Sequence, residues 1–256
     1  MILEGRRILV TGAARGIGLA VVRACLAEGA YVLATDRDGE VLDQAVLGLK
    51  KYADRLRHNR LDVSDPASLE DSLSEIRDWP MLDGLVNNAA ILDINDARSL
   101  TDERFAEVLD TNLTGALRVT RAVLPMLEQS SAPGIVNTLS TQAFFGVPGS
   151  AAYATAKGGM LMLTRSMAVD FGADNIRVNA VAPGFIDTRM ALTKDGLHEH
   201  EMEDFKTHYI AAGRIPLRRP GTVEDCAGAF VYLLSDRAQY VTGQVICVDG
   251  GLSATY

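Results

Sequence analysis

Two residues in the stretch Ser-Ala-Ala-Tyr-Ala-Thr-Ala-Lys have the chemistry and the spacing of a proton-transfer pair. Tyr153 and Lys157 are four positions apart, so they share one face if the stretch is helical. A free tyrosine has a pKa of about 10, and a nearby ammonium favours the phenolate and lowers that pKa. General acid–base catalysis works best when the pKa of the group nears the working pH. The spacing therefore predicts Tyr153 as an acid or base tuned by Lys157.

A hydroxyl that could assist this pair lies a short distance upstream. Ser140 precedes Tyr153 by 13 residues and ends the apolar run Gly-Ile-Val-Asn-Thr-Leu-Ser. Its hydroxyl could hydrogen-bond a substrate oxygen as charge develops there. Taken alone, the serine could equally end a strand, and a tyrosine and a lysine could both lie on a surface.

A glycine-rich loop near the N-terminus indicates a phosphate-containing cofactor. Gly12, Gly16 and Gly18 directly follow a short apolar run and open a helical pattern. Gly12 permits a tight turn, Gly16 lets the backbone approach a pyrophosphate, and Gly18 allows close helix packing. The free N–H groups of the helix N-terminus attract phosphate. Together with Arg15 and Ile17, these glycines form the predicted cofactor loop.

The elements that must position these residues alternate between short apolar runs and longer helical patterns. Strands are expected at 6–10, 31–35, 56–61, 83–87, 134–140, 176–183 and 245–249. Helices are expected at 16–29, 39–51, 151–172 and 222–235, with two long helices over 102–130 and another that begins at Asp65 and Pro66. Strand–helix alternation implies a parallel sheet. The predicted fold is α/β, a Rossmann-like doubly wound parallel sheet of about seven strands with helices on both faces. One domain, 1–256, carries a substrate lid at about 186–213.

The order of the motifs resembles the short-chain dehydrogenase/reductase family over essentially the whole chain. Its glycine pattern matches Thr-Gly-x-x-x-Gly-x-Gly at 11–18, and Asn-Asn-Ala-Ala at 87–90 differs from the family pattern only in Ala90, where glycine is usual. Thr-Asn-Leu-Thr-Gly at 111–115, the Ser140–Tyr153–Lys157 spacing, and Ala-Pro-Gly at 182–184 follow in family order.

The resemblance assigns further roles. It implies that Lys157 holds the nicotinamide ribose and that Asn112 holds a water near Lys157 as a proton relay. The cofactor residues that it implies, or that the loop predicts, are Gly12, Arg15, Gly16, Ile17, Gly18, Asp36, Arg37, Asp62, Val63, Asn88, Ala89, Tyr153, Lys157, Pro183, Gly184, Ile186 and Thr188. It also implies pairing of long helices into a homotetramer or homodimer.

The choice between NAD and NADP depends on Asp36 and two arginines. Asp36 ends the second apolar run about 20 residues past the glycines, where an acid binds the ribose 2′-OH of NAD and repels a 2′-phosphate. Arg15 and Arg37 flank this position, and in the family such basic residues often accompany NADP. NAD is the predicted cofactor because the carboxylate occupies the discriminating position.

Composition excludes several other classes of function. The net charge is −8 and there is no dense basic block, which argues against a nucleic-acid partner. No apolar run is long enough for a membrane span, and the N-terminus lacks the order of a signal peptide. Three dispersed cysteines indicate reduced thiols rather than disulfides. A cytoplasmic protein is expected.

A metal site is not expected. His198 and His200 in the stretch His-Glu-His-Glu-Met-Glu-Asp do not match His-Glu-x-x-His. Two residues apart on a helix, they would point to different faces. A solvated lid helix is predicted here instead.

These features predict an NAD-dependent oxidoreductase that transfers a hydride between nicotinamide and a secondary alcohol or ketone, such as a sugar or polyol. Gln142, Phe145 and Met190 are candidate substrate contacts. One alternative is an NADPH-dependent 3-oxoacyl-carrier-protein reductase. The other is a dinucleotide sensor without activity, which is disfavoured by the presence of Ser140, Tyr153 and Lys157.

Overall fold

A single parallel sheet runs through the computed structural model, which describes residues 1–191 and 196–255. Its strands are β1 (Arg7–Thr11), β2 (Tyr31–Asp36), β3 (Leu56–Arg60), β4 (Gly84–Asn87), β5 (Gly134–Thr138), β6 (Arg177–Pro183) and β7 (Val245–Val248). They pair in the order β3-β2-β1-β4-β5-β6-β7, and every pairing is parallel. The predicted Rossmann-like sheet is confirmed.

Helices connect the strands at positions close to those expected. They are α1 (Gly16–Ala27), α2 (Gly39–Leu47), α3 (Pro66–Leu73), α4 (Asp102–Leu109), α5 (Gly115–Leu127), α6 (Ala151–Asp170), α7 (Glu203–Phe205) and α8 (Val223–Leu234). A π-helical turn, Asp110–Thr114, joins α4 to α5. No helix in the described part of the chain is long and apolar enough to cross a membrane.

Successive side chains of a strand point to opposite faces of the sheet, and an apolar core covers each face. In β1, Ile8 and Val10 pack in one cluster with residues of α1 and α8, such as Phe230. Leu9, between them, packs in the other cluster with residues of α5 and α6, such as Val123 and Met167. Strands buried on both faces read as continuous apolar runs, which is why the sequence pattern located them.

Helix starts also follow local sequence chemistry. Asp65 precedes α3 and its carboxylate accepts from the Ala67 N–H at 3.0 Å, with Pro66 in the first turn. Thr222 and Asp225 form a reciprocal capping box at the start of α8. Side-chain caps satisfy N–H groups that have no partner within the helix.

The strand order reverses between β1 and β4. From β1 the chain builds outward to β2 and β3, and from β4 it builds in the other direction to β7. Ligands of open α/β sheets bind at such a switch point, beyond the carboxyl ends of the strands. The fold therefore directs the search for a site to the residues that follow β1, β4, β5 and β6.

The described residues of the predicted lid segment form short turns rather than a long helix. Beyond Arg189–Ala191 and the 3₁₀ turn Glu199–Glu201, α7 continues into a π turn at Lys206–Ala211. The part of the lid prediction that covers 192–195 lies outside the described residues. Phe185, Phe205 and Tyr209 anchor the segment, with ring centroids 4.6 to 5.0 Å apart.

Candidate active site

Ser140, Tyr153 and Lys157 come together where β5 meets α6. Ser140 follows β5 with extended backbone, and its hydroxyl accepts from the Gln142 N–H at 3.2 Å. Tyr153 and Lys157 lie in the first two turns of α6, only 7% and 2% exposed. Lys157 Nζ donates to the Thr138 carbonyl at 2.7 Å and lies 5.5 Å from the centroid of the Tyr153 ring. The predicted shared helix face is therefore present.

The pKa values of this pair differ from the sequence expectation. Burial raises the pKa of Tyr153 to about 12, and a hydrogen bond with Ser140 only partly opposes it. Burial also lowers the pKa of Lys157 to about 8. The expectation that Lys157 lowers the pKa of Tyr153 was wrong for this chain. Desolvation disfavours the charged form of both groups, and Lys157 directs Nζ to a backbone carbonyl.

Asn112 lies at the centre of the π-helical turn and is 1% exposed. Its Oδ1 accepts from the Ile91 N–H and its Nδ2 donates to the Ile91 carbonyl, both at 2.8 Å. The side chain implied as the holder of a water is therefore committed to the loop after β4. π turns inside helices are frequent at functional sites, and this one fixes that loop.

The glycine loop has the backbone that its sequence predicts. Gly12 and Gly16 have φ values of +64° and +57°, which residues with a Cβ rarely adopt. A Cβ on Gly18 would lie 2.1 Å from the Gly12 carbonyl oxygen. Asn88 Nδ2 closes the loop by donating to the carbonyls of Thr11 and Gly12 at 3.1 and 2.9 Å.

The N-terminus of α1 fits an anionic group. Among the described residues no side chain caps α1, whereas side chains cap α2, α3, α4 and α8. Its first N–H groups therefore remain available for phosphate. A Cβ on Gly16 would meet only Thr188, at 3.5 Å, so space remains above the loop. Gly16, Ile17 and Gly18 thus fit a pyrophosphate.

Asp36 is oriented by the backbone. One carboxylate oxygen accepts from the Ala14 N–H and the other from the Asp38 N–H, each at 3.0 Å. Arg15 forms an ion pair with Asp38 at 2.5 Å, and Arg37 is exposed. The cation nearest to the glycine loop therefore already has an acidic partner.

The predicted adenine contacts lie at the end of β3. Val63 is buried, and Asp62 Oδ1 accepts from the backbone N–H and the hydroxyl of Ser64. Burial raises the pKa of Asp62, but the Ser64 hydrogen bonds and the charges of Arg37 and Arg60 outweigh it and lower the pKa below its usual value. Asp62 is therefore an oriented carboxylate.

The loop after β6 faces the glycine loop. Pro183 ends β6, and a Cβ on Gly184 would lie 2.7 Å from Cβ of Asp249. Ile186 is buried, and the Thr188 methyl lies beside Gly16. The residues predicted to contact nicotinamide and pyrophosphate thus border the same cleft.

The candidate substrate residues differ in their exposure and in their hydrogen bonds. Phe145 and Met190 are 48% and 43% exposed. Gln142 is half-buried, and its Oε1 accepts from the Ser150 hydroxyl. Ser150 immediately precedes α6, so Gln142 also positions the start of the helix that carries Tyr153.

Sequence reasoning missed residues that act through neighbouring backbone groups. The Thr11 hydroxyl accepts from the N–H groups of Asn88 and Ala89 at 3.0 and 3.1 Å, which ties β1 to the loop after β4. Arg118 donates to the Val63 carbonyl at 2.5 Å. Thr11 begins the glycine motif and could have been recognised there; for Arg118 no sequence signal was present.

Comparison with known proteins agrees with this geometry. A family model described as Enoyl-(Acyl carrier protein) reductase matches residues 12–253. The chain is 37% identical over 253 residues to the 3-oxoacyl-[acyl-carrier-protein] reductase FabG of Thermotoga maritima. The alignment covers 98% of this chain and 99% of that relative. The chain belongs to the short-chain dehydrogenase/reductase family. As a member of it, the chain is an oxidoreductase that acts on CH–OH or carbonyl groups with a nicotinamide cofactor.

Solved structures of short-chain dehydrogenase/reductases superpose over the whole chain. A putative short-chain alcohol dehydrogenase from Sinorhizobium meliloti has a TM-score of 0.91 at 34% identity and covers 100% of both chains. A gluconate 5-dehydrogenase from Burkholderia cenocepacia, in complex with NADP and tartrate, has a TM-score of 0.89 at 29% identity and covers 99% of this chain and 97% of its own. Neither comparison distinguishes NAD from NADP for this chain.

Proposed function

We propose that this protein interconverts a secondary alcohol and its ketone with NAD(H), and that the substrate is a sugar, polyol or other small hydroxy compound. The observation that carries the proposal is the buried Tyr153–Lys157 pair with the Ser140 hydroxyl hydrogen-bonded to Tyr153, at the carboxyl end of β5. The glycine loop lies at the same edge of the sheet and leads into α1, whose N-terminus has no side-chain cap. General acid–base groups and a nicotinamide site are the two parts that such a reaction needs.

In this proposal the phenolic oxygen of Tyr153 accepts the substrate's hydroxyl proton during oxidation and returns it during reduction. The bound nicotinamide supplies the chemistry of accepting or returning a hydride. When an alcohol is oxidised, its carbon loses the hydride, and the proton of its hydroxyl passes to the Tyr153 oxygen. The Ser140 hydroxyl donates a hydrogen bond to the substrate oxygen, which stabilises the negative charge that develops there.

Lys157 and Tyr153 act as one titrating pair. With pKa values of about 8 and about 12, the pair loses its first proton near pH 8. The resulting form can be written with a neutral lysine and a phenol or with an ammonium and a phenolate, which contain the same number of protons. The second form is the base that alcohol oxidation needs. The pair as a whole therefore loses, near pH 8, the proton whose departure alcohol oxidation needs.

Asn112 acts in this proposal as a positioning residue. Its amide is committed to Ile91, so any relay water must be held by other groups. Loss of the amide would release the loop after β4, which also bears Asn88 and Ala89.

The charge distribution at β2 supports NAD. Asp36 is aimed by two backbone N–H groups, and a carboxylate with this orientation favours a ribose hydroxyl over a 2′-phosphate. Arg15 is paired with Asp38, and Arg37 acts on the carboxylate of Asp62. Each arginine that could attract a 2′-phosphate thus has a nearby acid.

The experiment that tests the proposal measures reduced cofactor with purified protein, NAD⁺ and NADP⁺ in parallel, and a panel of secondary alcohols, sugars and polyols at pH about 9. We expect turnover with NAD⁺ and a polyhydroxy substrate. The likeness to gluconate 5-dehydrogenase makes sugar acids the first compounds to include. Turnover confined to NADP⁺ would refute the cofactor choice.

The relative from Thermotoga maritima favours a second candidate, reduction of a 3-oxoacyl carrier protein with NADPH. An acidic carrier protein would need a basic docking surface. Near the site, Arg118 is already paired with Asp110, whereas Arg121 is exposed. Reduction of a 3-oxoacyl thioester by NADPH, in the absence of any alcohol oxidation with NAD⁺, would establish this candidate instead.

We also propose that the protein is a cytoplasmic homotetramer or homodimer. All three cysteines are free, as expected in a reducing compartment. On α6, Met162 and Val169 are 56% and 81% exposed, and such apolar side chains are typical of a helix face covered by a partner. Light scattering would give a mass of two or four chains.

A further inference from the structure

The lid brings three metal-ligating side chains together beside the cofactor cleft. His198 Nδ1 and His200 Nε2 lie 3.1 and 3.6 Å from the same oxygen of Asp187. No two of the three ligand atoms are more than 4.8 Å apart. Among residues 1–191 and 196–255, it is the only group of three or more His, Cys, Asp or Glu side chains whose ligand atoms lie close enough together to hold a metal ion.

The arrangement arises because the segment is not an α-helix. His198 has extended backbone (φ −72°, ψ 130°) and directly precedes the 3₁₀ turn Glu199–Glu201. The two imidazole rings therefore face each other, with centroids 5.0 Å apart. The sequence expectation that they point to different helix faces was wrong for this reason.

One ligand atom has no partner of its own. His198 Nδ1 is buried and makes no hydrogen bond, although the Asp187 oxygen is only 3.1 Å away. A neutral imidazole nitrogen and a carboxylate oxygen that face each other are two acceptors, which repel unless a proton or a cation lies between them. His200 Nε2 faces the same Asp187 oxygen at 3.6 Å, and the centroid of its ring lies 6.3 Å from that of Phe205.

We propose that Asp187, His198 and His200 bind a Zn²⁺ ion that links the lid to the loop after β6. Two imidazoles and a carboxylate are ligands of zinc, at about 2.0–2.2 Å each, with a fourth position left for water. Tetrahedral ligands at that distance are about 3.3 Å apart, so modest side-chain rotation completes the site. Harder cations such as Mg²⁺ prefer all-oxygen ligands and do not compete.

The site connects two functional segments. Asp187 lies between Ile186 and Thr188, the residues that border the cofactor cleft. His198 and His200 lie on the described part of the lid that begins at Gly196. A bound ion therefore holds residues 196–201 against the cleft, and its release frees them. This proposal does not depend on which substrate the enzyme uses.

The test is calorimetric titration of Zn²⁺ into the untagged, full-length protein with Cys247→Ser. That change removes the exposed thiol, whereas Cys25 and Cys226 are buried, which raises the pKa of each to about 12. We expect one Zn²⁺ per chain and no binding of Mg²⁺. His198→Gln combined with His200→Gln should weaken binding at least about 100-fold, the upper end of the loss caused by removing a supporting contact of a metal ligand.

Matched controls separate this site from other histidines. His208→Gln changes an exposed lid histidine that contacts the Asp204 carbonyl, and His58→Gln changes one that pairs with Asp43 at 3.1 Å. Both should leave zinc affinity unchanged. Hydrogen exchange of residues 196–201 should slow when Zn²⁺ is added to the parent protein but not to the double variant. Absence of saturable binding, or equal binding by the double variant, would overturn the proposal and leave an ion-paired cluster.

Discussion

The start of α6 and the predicted lid follow the carboxyl ends of β5 and β6, at the same edge of the sheet, but are built in different ways. Tyr153 and Lys157 are almost fully buried, and Lys157 is fixed by the Thr138 carbonyl at the end of a central strand. In the lid, Met190, Leu197 and Met202 are 41% to 56% exposed. In the part of the lid that the structure describes, helical order is limited to short turns and the three residues of α7.

This difference separates the reaction from its specificity. Buried polar groups held by strands shift their pKa values and keep their geometry, so the site on α6 determines which chemistry is possible. Exposed side chains change contacts at small cost, so we expect the predicted lid to choose the substrate. Variants in the two regions should therefore differ in kind as well as in size.

The largest effect is expected from Tyr153→Phe. Removing the phenolic oxygen removes the proton acceptor, and positioned acid–base groups contribute about 10²–10⁴-fold to rate. We expect kcat to fall at least about 10³-fold, while the Kd for NAD⁺, measured by fluorescence quenching, changes little. Retention of half the activity or more would falsify the assignment and restore the sensor alternative.

Lys157→Met should change the pH dependence. In the wild-type protein, alcohol oxidation requires loss of the proton that leaves near pH 8, because burial lowers the pKa of Lys157 to about 8. The rate therefore rises about tenfold per pH unit below pH 8 and levels off above it.

Without the lysine, only Tyr153 titrates, with its pKa raised by burial to about 12. The rate of the Lys157→Met variant should not level off near pH 8 and should still be rising at pH 10. A profile that levels at the same pH as the wild type would show that another group titrates.

Asp36→Asn should alter cofactor choice without altering the chemistry. Loss of the charge weakens a hydrogen bond to the ribose hydroxyl and removes repulsion of a 2′-phosphate, together about 1.5–3 kcal/mol. The ratio of kcat/KM for NAD⁺ to that for NADP⁺ should fall about 10–100-fold. Asp43→Asn, the same charge change on α2, is the control, and an equal fall in both variants would mean that net charge is responsible.

The smallest effect is expected in the lid, from Met190→Ala. Truncating a side chain that is 43% exposed should change KM for the alcohol by less than about tenfold, because the side chain is only partly enclosed, whereas one methylene group in a closed pocket is worth about 1–3 kcal/mol. Cofactor affinity should stay constant, as it should for Leu47→Ala, an exposed residue of α2. A fall in kcat without a change in KM would instead place Met190 at the reacting atoms.

Much of the sheet, the glycine loop and the start of α6 could be predicted, because local sequence patterns produce them. The apolar runs located the strands, glycines at positive φ marked the loop, and four-residue spacing placed Tyr153 above Lys157. The lid was less predictable, since its turns depend on the contacts of Phe185 with Phe205 and Tyr209, which lie much later in the sequence. The pKa of Tyr153 was also missed, because spacing gives proximity but not burial.

By itself, the sequence determined the sheet, the glycine loop and the candidate residues for proton transfer. These follow from periodicity, backbone freedom and side-chain chemistry, which are local properties. Only the tertiary structure decided the protonation behaviour of Tyr153 and Lys157, the commitment of Asn112 to Ile91, and the meeting of His198 and His200 with Asp187. Each of these depends on desolvation or on contacts between segments, and neither is fixed until the chain has packed.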